Sequence, residues 1–184
     1  MKIMWKIIRE SIKVLIIASV LSSIGGFALK SIEEKLIVLL PFIIALPSLN
    51  ALVGDFGIIV TSKFTTFLYE RHVKNLKHSQ FVKHLFKDIF PIALISALYL
   101  SALVLFASYI KGFSLEQSFV IKFILVILIS VMVLFLIIFL VAIIGGYRVY
   151  KKNQDPDDIL IPITTSIADL GTMIVFSLLI LFMF

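Results

Sequence analysis

Cysteine is absent from the 184 residues, which excludes disulfide frameworks, cysteine–zinc sites and thiol chemistry. The absence says nothing about compartment, because a membrane protein can do without the residue. Charge is scarce too: Asp, Glu, Lys and Arg make up 15% of the chain, against 61% hydrophobic residues. With a mean hydropathy of +1.15, too little polar material is left to clothe a soluble domain. The composition implies an integral membrane protein. Internal repeats, low-complexity tracts and loops long enough for a soluble domain are also missing, so residues 1–184 read as one compact helical bundle. The three histidines, His72, His78 and His84, lie six apart. That spacing does not align metal ligands on one helix face, and they read as solvated or headgroup-facing.

What is present is a series of long uncharged runs. They predict five membrane-spanning helices: Ile12–Leu29, Leu36–Tyr69, Ile89–Ile110, a fourth over about 118–147 with its uncharged part at Phe123–Tyr147, and Ile159–Phe184. The net charge of +6 does not point to nucleic acid, because the basic residues flank the spans. Lys2, Lys6, Arg9 and Lys13 precede the first span. Arg71, Lys74, Lys77, Lys83 and Lys87 separate the second from the third, and Arg148, Lys151 and Lys152 the fourth from the fifth. Those twelve share one side, and Lys30, Lys35, Lys111 and Lys122 the other. The positive-inside rule then puts the amino terminus inside and the carboxyl terminus outside. A cleaved signal peptide would explain the start less well, since its charged region would be long and Lys13 would interrupt its apolar core. The opening Met1–Arg9 is amphipathic, with Trp5 suited to the interface, and Arg71–Lys87 predicts a surface helix or an extension of the third span.

The last span carries the chemistry. Asp169 is the only charge in the 26 residues from Ile159 to Phe184. An Asp at that depth costs about 2.5–3.5 kcal/mol to insert, and such residues usually face a cavity, an ion path or a partner. Asp158, Pro162, Thr165, Asp169 and Thr172 are spaced four, three, four and three apart, one stripe along a helix, with Ser166 beside it. Asp155 suits an N-cap and Pro156 a first helical position. Helix-dipole complementarity alone would account for Asp157 and Asp158 equally well. On the second span Ser48, Asp55 and Ser62 recur every seven residues, with Asn50, Gly54, Gly57 and Thr61 on the adjoining face. Pro41 and Pro47 are expected to interrupt that span, and a salt bridge to Lys63 is the structural alternative for Asp55. The donor set is all oxygen, which suits a hard cation such as Mg²⁺ or Ca²⁺ rather than zinc or copper.

Two segments resemble a known family. Leu46-Pro47-Ser48-Leu49-Asn50-Ala51-Leu52-Val53-Gly54-Asp55, followed by Thr61-Ser62-Lys63-Phe64-Thr65-Thr66, is similar to the second-helix signature of the MgtE superfamily of magnesium transporters, most closely its eukaryotic solute-carrier branch. Asp155-Pro156-Asp157-Asp158, Pro162, Thr165-Ser166 and Ala168-Asp169-Leu170 resemble its last-helix signature. The resemblance implies a five-helix unit working as a dimer, with hydrated Mg²⁺ as the transported ion on the two-fold axis. Asp169 would hold that ion, the carbonyl of Thr165 would lie one turn earlier, and Asp155 would be the acidic residue opening the last helix. The family position usually held by Asn after Gly is Asp55 here. Soluble sensing domains of the bacterial members have no counterpart, and a single unit implies a homodimer or a heterodimer with a related half.

The site expected from these readings has Asp169, Asp155, Asp55, Thr165 and Asp158 as metal-binding residues. Ser166, Thr172, Pro162, Gly54, Gly57, Asn50 and Ser62 would line the pore. The partners expected are a divalent metal ion, the lipid bilayer and a second half, with no nucleic acid. Two other classes fit the same residues less well: a non-transporting membrane subunit that regulates or assembles with a partner, and an intramembrane aspartyl protease with Asp55 and Asp169 as its dyad.

Overall fold

A computed structural model describes residues 2–71 and 80–184, with the side chains of 2–11, 13, 14, 17 and 18 left out. The described residues form six helices: α1 (Lys2–Lys30), α2 (Glu33–Val38), α3 (Leu40–Arg71), α4 (Gln80–Ile110), α5 (Gln117–Lys151) and α6 (Pro156–Met183). No strand occurs among them. Four of them, α3 to α6, are long and apolar enough to cross a membrane. The 29-residue α1 runs through the first expected span as one unbroken helix.

Of the two interruptions expected in the second span, one is present and one is not. Pro41 does interrupt it: α2 ends at Val38, Leu39 leaves the helical region (φ −104, ψ 75), and α3 starts afresh at Leu40. Proline has no N–H to donate, and its ring would clash with the carbonyl four residues back. Pro47 interrupts nothing and sits inside the continuous 32-residue α3. Between the second and third spans, α4 already begins at Gln80, so the described part of the amphipathic stretch, residues 80–87, is an extension of the third span. His72, His78, Lys74 and Lys77 lie outside the described residues, whereas His84 is exposed on α4.

The turns follow local chemistry. Gly112 takes a φ of +82, and the amide of Phe113 donates to the carbonyl of Ser108. Asn153 takes the left-handed conformation (φ 55) after α5, and the amide of Gln154 reaches the carbonyl of Val149. Both arrangements satisfy carbonyls that a helix end would leave bare.

Helix α6 lies at the centre, packed against α1, α3 and α5, while α4 covers the far side of α3 and α5. Two phenylalanine clusters fill the interior. Phe42 meets Phe119, Phe123, Phe176 and Phe184 at one end. Phe135 meets Phe56, Phe86, Phe90 and Phe139 between α3, α4 and α5. The outward faces are as apolar as the core: Ile95, Tyr99 and Phe106 of α4, and Leu136 and Leu140 of α5, are exposed. A surface of that kind is stable against hydrocarbon, where burial in lipid replaces burial in protein.

Small residues set the spacing around α6. A Cβ at Gly25 of α1 would stand 3.3 Å from the Cα of Leu170 and 2.7 Å from the Sδ of Met173. A Cβ at Gly57 of α3 would stand 3.0 Å from the Cβ and Oγ1 of Thr164 and 3.3 Å from Ile138. Close approach of this kind is how helices gain dispersion contacts in a bilayer. Gly57→Ala is therefore expected to lower stability in detergent by about 1–3 kcal/mol through overpacking. Gly54→Ala should be neutral or slightly stabilising, since its Cβ would meet only Thr165 Cγ2 at 3.9 Å and helix propensity improves. Thermal unfolding of the two variants, side by side, checks the contrast.

Candidate functional site

The start of α6 is built by its own side chains. Asp155 is the N-cap: its Oδ1 accepts from the amide of Asp157 at 3.0 Å, and Pro156 occupies the first helical position, where a missing N–H is harmless. Further along, Pro162 removes one donor from the helical ladder. Three hydroxyls follow it and turn back onto the preceding carbonyls. Thr164 Oγ1 donates to Leu160 O at 2.8 Å and Ile161 O at 3.1 Å. Thr165 Oγ1 donates to Ile161 O at 2.9 Å and Pro162 O at 3.0 Å. Ser166 Oγ donates to Pro162 O at 2.6 Å. Back-bonding of this kind commits each hydroxyl proton to the backbone and leaves the oxygen lone pairs as acceptors.

Asp169 lies one turn beyond Thr165, thirteen residues from the start of the 28-residue α6 and fourteen from its end. At 1.5 Å per residue it is about 20 Å from either end. The side chain is half-buried, and each oxygen has its own donor. Asn50 Nδ2 of α3 donates to Oδ1 at 2.6 Å, and Ser22 Oγ of α1 donates to Oδ2 at 2.9 Å. The carboxylate opens on a cavity of about 590 Å³ lined by Leu15, Ser19, Ser22, Ser23, Ile161, Pro162, Thr165, Ser166 and Asp169. Ser23 resembles the α6 hydroxyls in giving its proton to a backbone carbonyl, that of Ser19, at 2.8 Å.

The expected stripe is thus gathered in its middle. Pro162, Thr165, Ser166 and Asp169 share the cavity, and Asn50 reaches it from α3. Gly54 faces Thr165 and Gly57 faces Thr164, at the crossing of α3 and α6. Thr172 is fully buried, its hydroxyl oxygen without a partner, and is not part of the cavity lining. Asp155 and Asp158 are exposed at the amino-terminal end of α6, also outside the lining. Ser62 is half-buried on α3, and Asp55 is exposed there. Asp55 follows Asn50 by five residues, about 140° around the helix, so it points away from Asp169. Among the described residues no ion pair joins Asp55 to Lys63, and no group of three or more acidic or histidine side chains could enclose a bare metal ion.

The α1 serines were not expected from the sequence. The signal was there: Ser19, Ser22 and Ser23 put hydroxyls at helical spacing in an otherwise apolar span. Nothing in one sequence says which of two neighbouring helices such hydroxyls will meet.

One carboxylate amid lone-pair acceptors can attract a hydrated hard cation, whose water protons point outward. The family model of the MgtE divalent cation transporters matches residues 46–179. The chain belongs to that family. It is therefore a transporter of divalent cations rather than an enzyme, and a multi-pass membrane protein. The match runs from within α3 to near the end of α6, over both signature segments, and leaves α1 outside it. No curated protein matches the chain. The protease alternative loses its ground with this membership, and the geometry agrees: Asp169 is engaged by Ser22 and Asn50, while Asp55 faces outward.

The cap of this MgtE chain is testable apart from transport. Asp155→Ala is expected to lower stability by about 0.5–2 kcal/mol, and Asp155→Ser to recover most of it, as read by thermal unfolding in detergent.

Proposed function

We propose that the protein carries Mg²⁺ across the cell membrane as a dimer of five-span units, with Asp169 as the residue that attracts the ion. The observation that carries this reading is the placement of Asp169. It lies at mid-helix in the last span, half-buried, on a cavity whose other polar groups are hydroxyls, those of Ser23, Thr165 and Ser166 with their protons given to backbone carbonyls. At an effective dielectric of about 20, a divalent ion about 5 Å from a carboxylate gains roughly 6–7 kcal/mol, and a monovalent ion about half of that. The divalent figure is about twice the cost of inserting the Asp.

In this reading α1 supplies the fifth span, the amino terminus is inside and the carboxyl terminus outside. Asp155 and Asp158 form an acidic approach at the inner end of α6, and the carbonyl of Thr165 lies one turn from Asp169. Mg²⁺ keeps its water shell, because a single carboxylate replaces little of it. The dimer is supported by α3, where Pro47, Ser48, Ala51 and Asp55 are all exposed. Small residues of this kind suit helix–helix approach, and a carboxylate facing lipid is costly, so a second copy is the fitting cover. Asp55 would then face the path between copies.

Reconstituted into liposomes, the wild-type chain should admit Mg²⁺, and Asp169→Ala should cut the uptake by more than about ten-fold, given the attraction removed. Unchanged uptake in that variant, with protein correctly inserted, would overturn the assignment.

A further inference from the structure

Both oxygens of Asp169 are held by donors from other helices, and the two donors are not alike. Asn50 belongs to the part of the chain matched by the family model, whereas Ser22 of α1 lies outside residues 46–179. Ser22 also differs from the hydroxyls around it. Ser23, Thr165 and Ser166 give their protons to carbonyls of their own helices, leaving lone pairs toward the cavity. Ser22 gives its proton to the carboxylate itself, across from α1 to α6. With Asn50 Nδ2 on the other oxygen, the donors neutralise part of the charge that would otherwise draw any cation. Asn50 has no freedom to offer its oxygen instead: a carboxylate accepts only, so Nδ2 must face it, and Oδ1 is left buried without a partner.

We propose that Ser22, together with Asn50, acts as a counter-donor that sets an affinity threshold at Asp169. The proposal rests on the transport reading above and deepens it. A cation arriving at the carboxylate meets oxygens that each already accept a charge-assisted hydrogen bond, so part of the negative charge is spent on the donors and the gain on binding is smaller. A doubly charged ion gains about twice what a singly charged ion does at the same distance. The donors therefore hold the site against abundant monovalent cations and yield to a divalent one. The preference for the higher valence comes from attraction by the carboxylate, and the donors set the level that this attraction has to exceed.

The sign of the effect separates this role from that of a ligand. Were the Ser22 hydroxyl an oxygen ligand, removing it would weaken cation binding. As a counter-donor its removal strengthens binding, for both valences. The test uses the full chain in proteoliposomes, with Mg²⁺ uptake measured over a range of Mg²⁺ and K⁺ concentrations. Ser22→Ala is expected to lower the half-saturating Mg²⁺ concentration about ten-fold and to let K⁺ inhibit at about ten-fold lower concentration, the effect of losing one hydrogen bond to a charged group. Ser22→Thr, which keeps the hydroxyl, should return both values to those of the wild type. Half-saturation that is unchanged or higher in Ser22→Ala overturns the proposal. Where that variant is inserted but transports too slowly to measure, Mg²⁺-dependent protection against thermal unfolding in detergent is read instead, with the same expected direction and the same overturning result. Wild-type protein showing neither uptake nor Mg²⁺ protection would instead sink the transport reading itself.

Discussion

A carboxylate about 20 Å from either end of a membrane-spanning helix has to be compensated by the protein, because hydrocarbon offers it neither water nor counter-charge. Much of the architecture can be traced to that constraint on Asp169. Helix α6 carries it and takes the central position, with α1, α3 and α5 around it. Ser22 and Asn50 are supplied from two of those helices to the two carboxylate oxygens. Gly25 and Gly57 let α1 and α3 come close enough to α6 for side chains as short as serine and asparagine to reach. Helices without such a burden, α4 and α5, turn apolar side chains both to the outside and to the inside, where Phe86, Phe90, Phe135 and Phe139 pack together.

The hydroxyls on α6 show how backbone chemistry and site chemistry are joined. Pro162 disturbs the ladder, and Thr164, Thr165 and Ser166 bond the carbonyls just before and at it. A hydroxyl whose proton is spent in this way becomes an acceptor toward its surroundings. The result is a cavity wall matched to the outward-pointing protons of a hydrated cation. No cluster of carboxylates is needed, and none is found among the described residues. In the proposed reading the same economy suits a hard ion that sheds water reluctantly.

Asp55 presents the opposite case. It is exposed on α3 among Pro47, Ser48 and Ala51, and no ion pair to Lys63 satisfies it among the described residues. A single copy of the chain therefore leaves one intramembrane carboxylate compensated and one uncompensated. In the proposed dimer a second copy would cover the second.

The sequence by itself determined the membrane character, four of the crossing helices, the N-cap at Asp155 and the stripe that places Pro162, Thr165 and Asp169 on one face of α6. Each of these rests on local physics: run length against bilayer thickness, or the 3.6-residue period of a helix. The two prolines end differently: ahead of Pro41 the backbone leaves the helical region at Leu39, and at Pro47 it stays helical. Tertiary structure decided what Asp169 touches. Ser22 is 147 residues away in the chain and Asn50 is 119 away, and no periodicity within one helix says which face of another it will meet. It also decided that Asp55, in a signature segment like Asn50, points away, because a shift of five residues turns a side chain about 140° around the axis. Helix geometry could supply that angle from the sequence, but only packing could say which direction was inward.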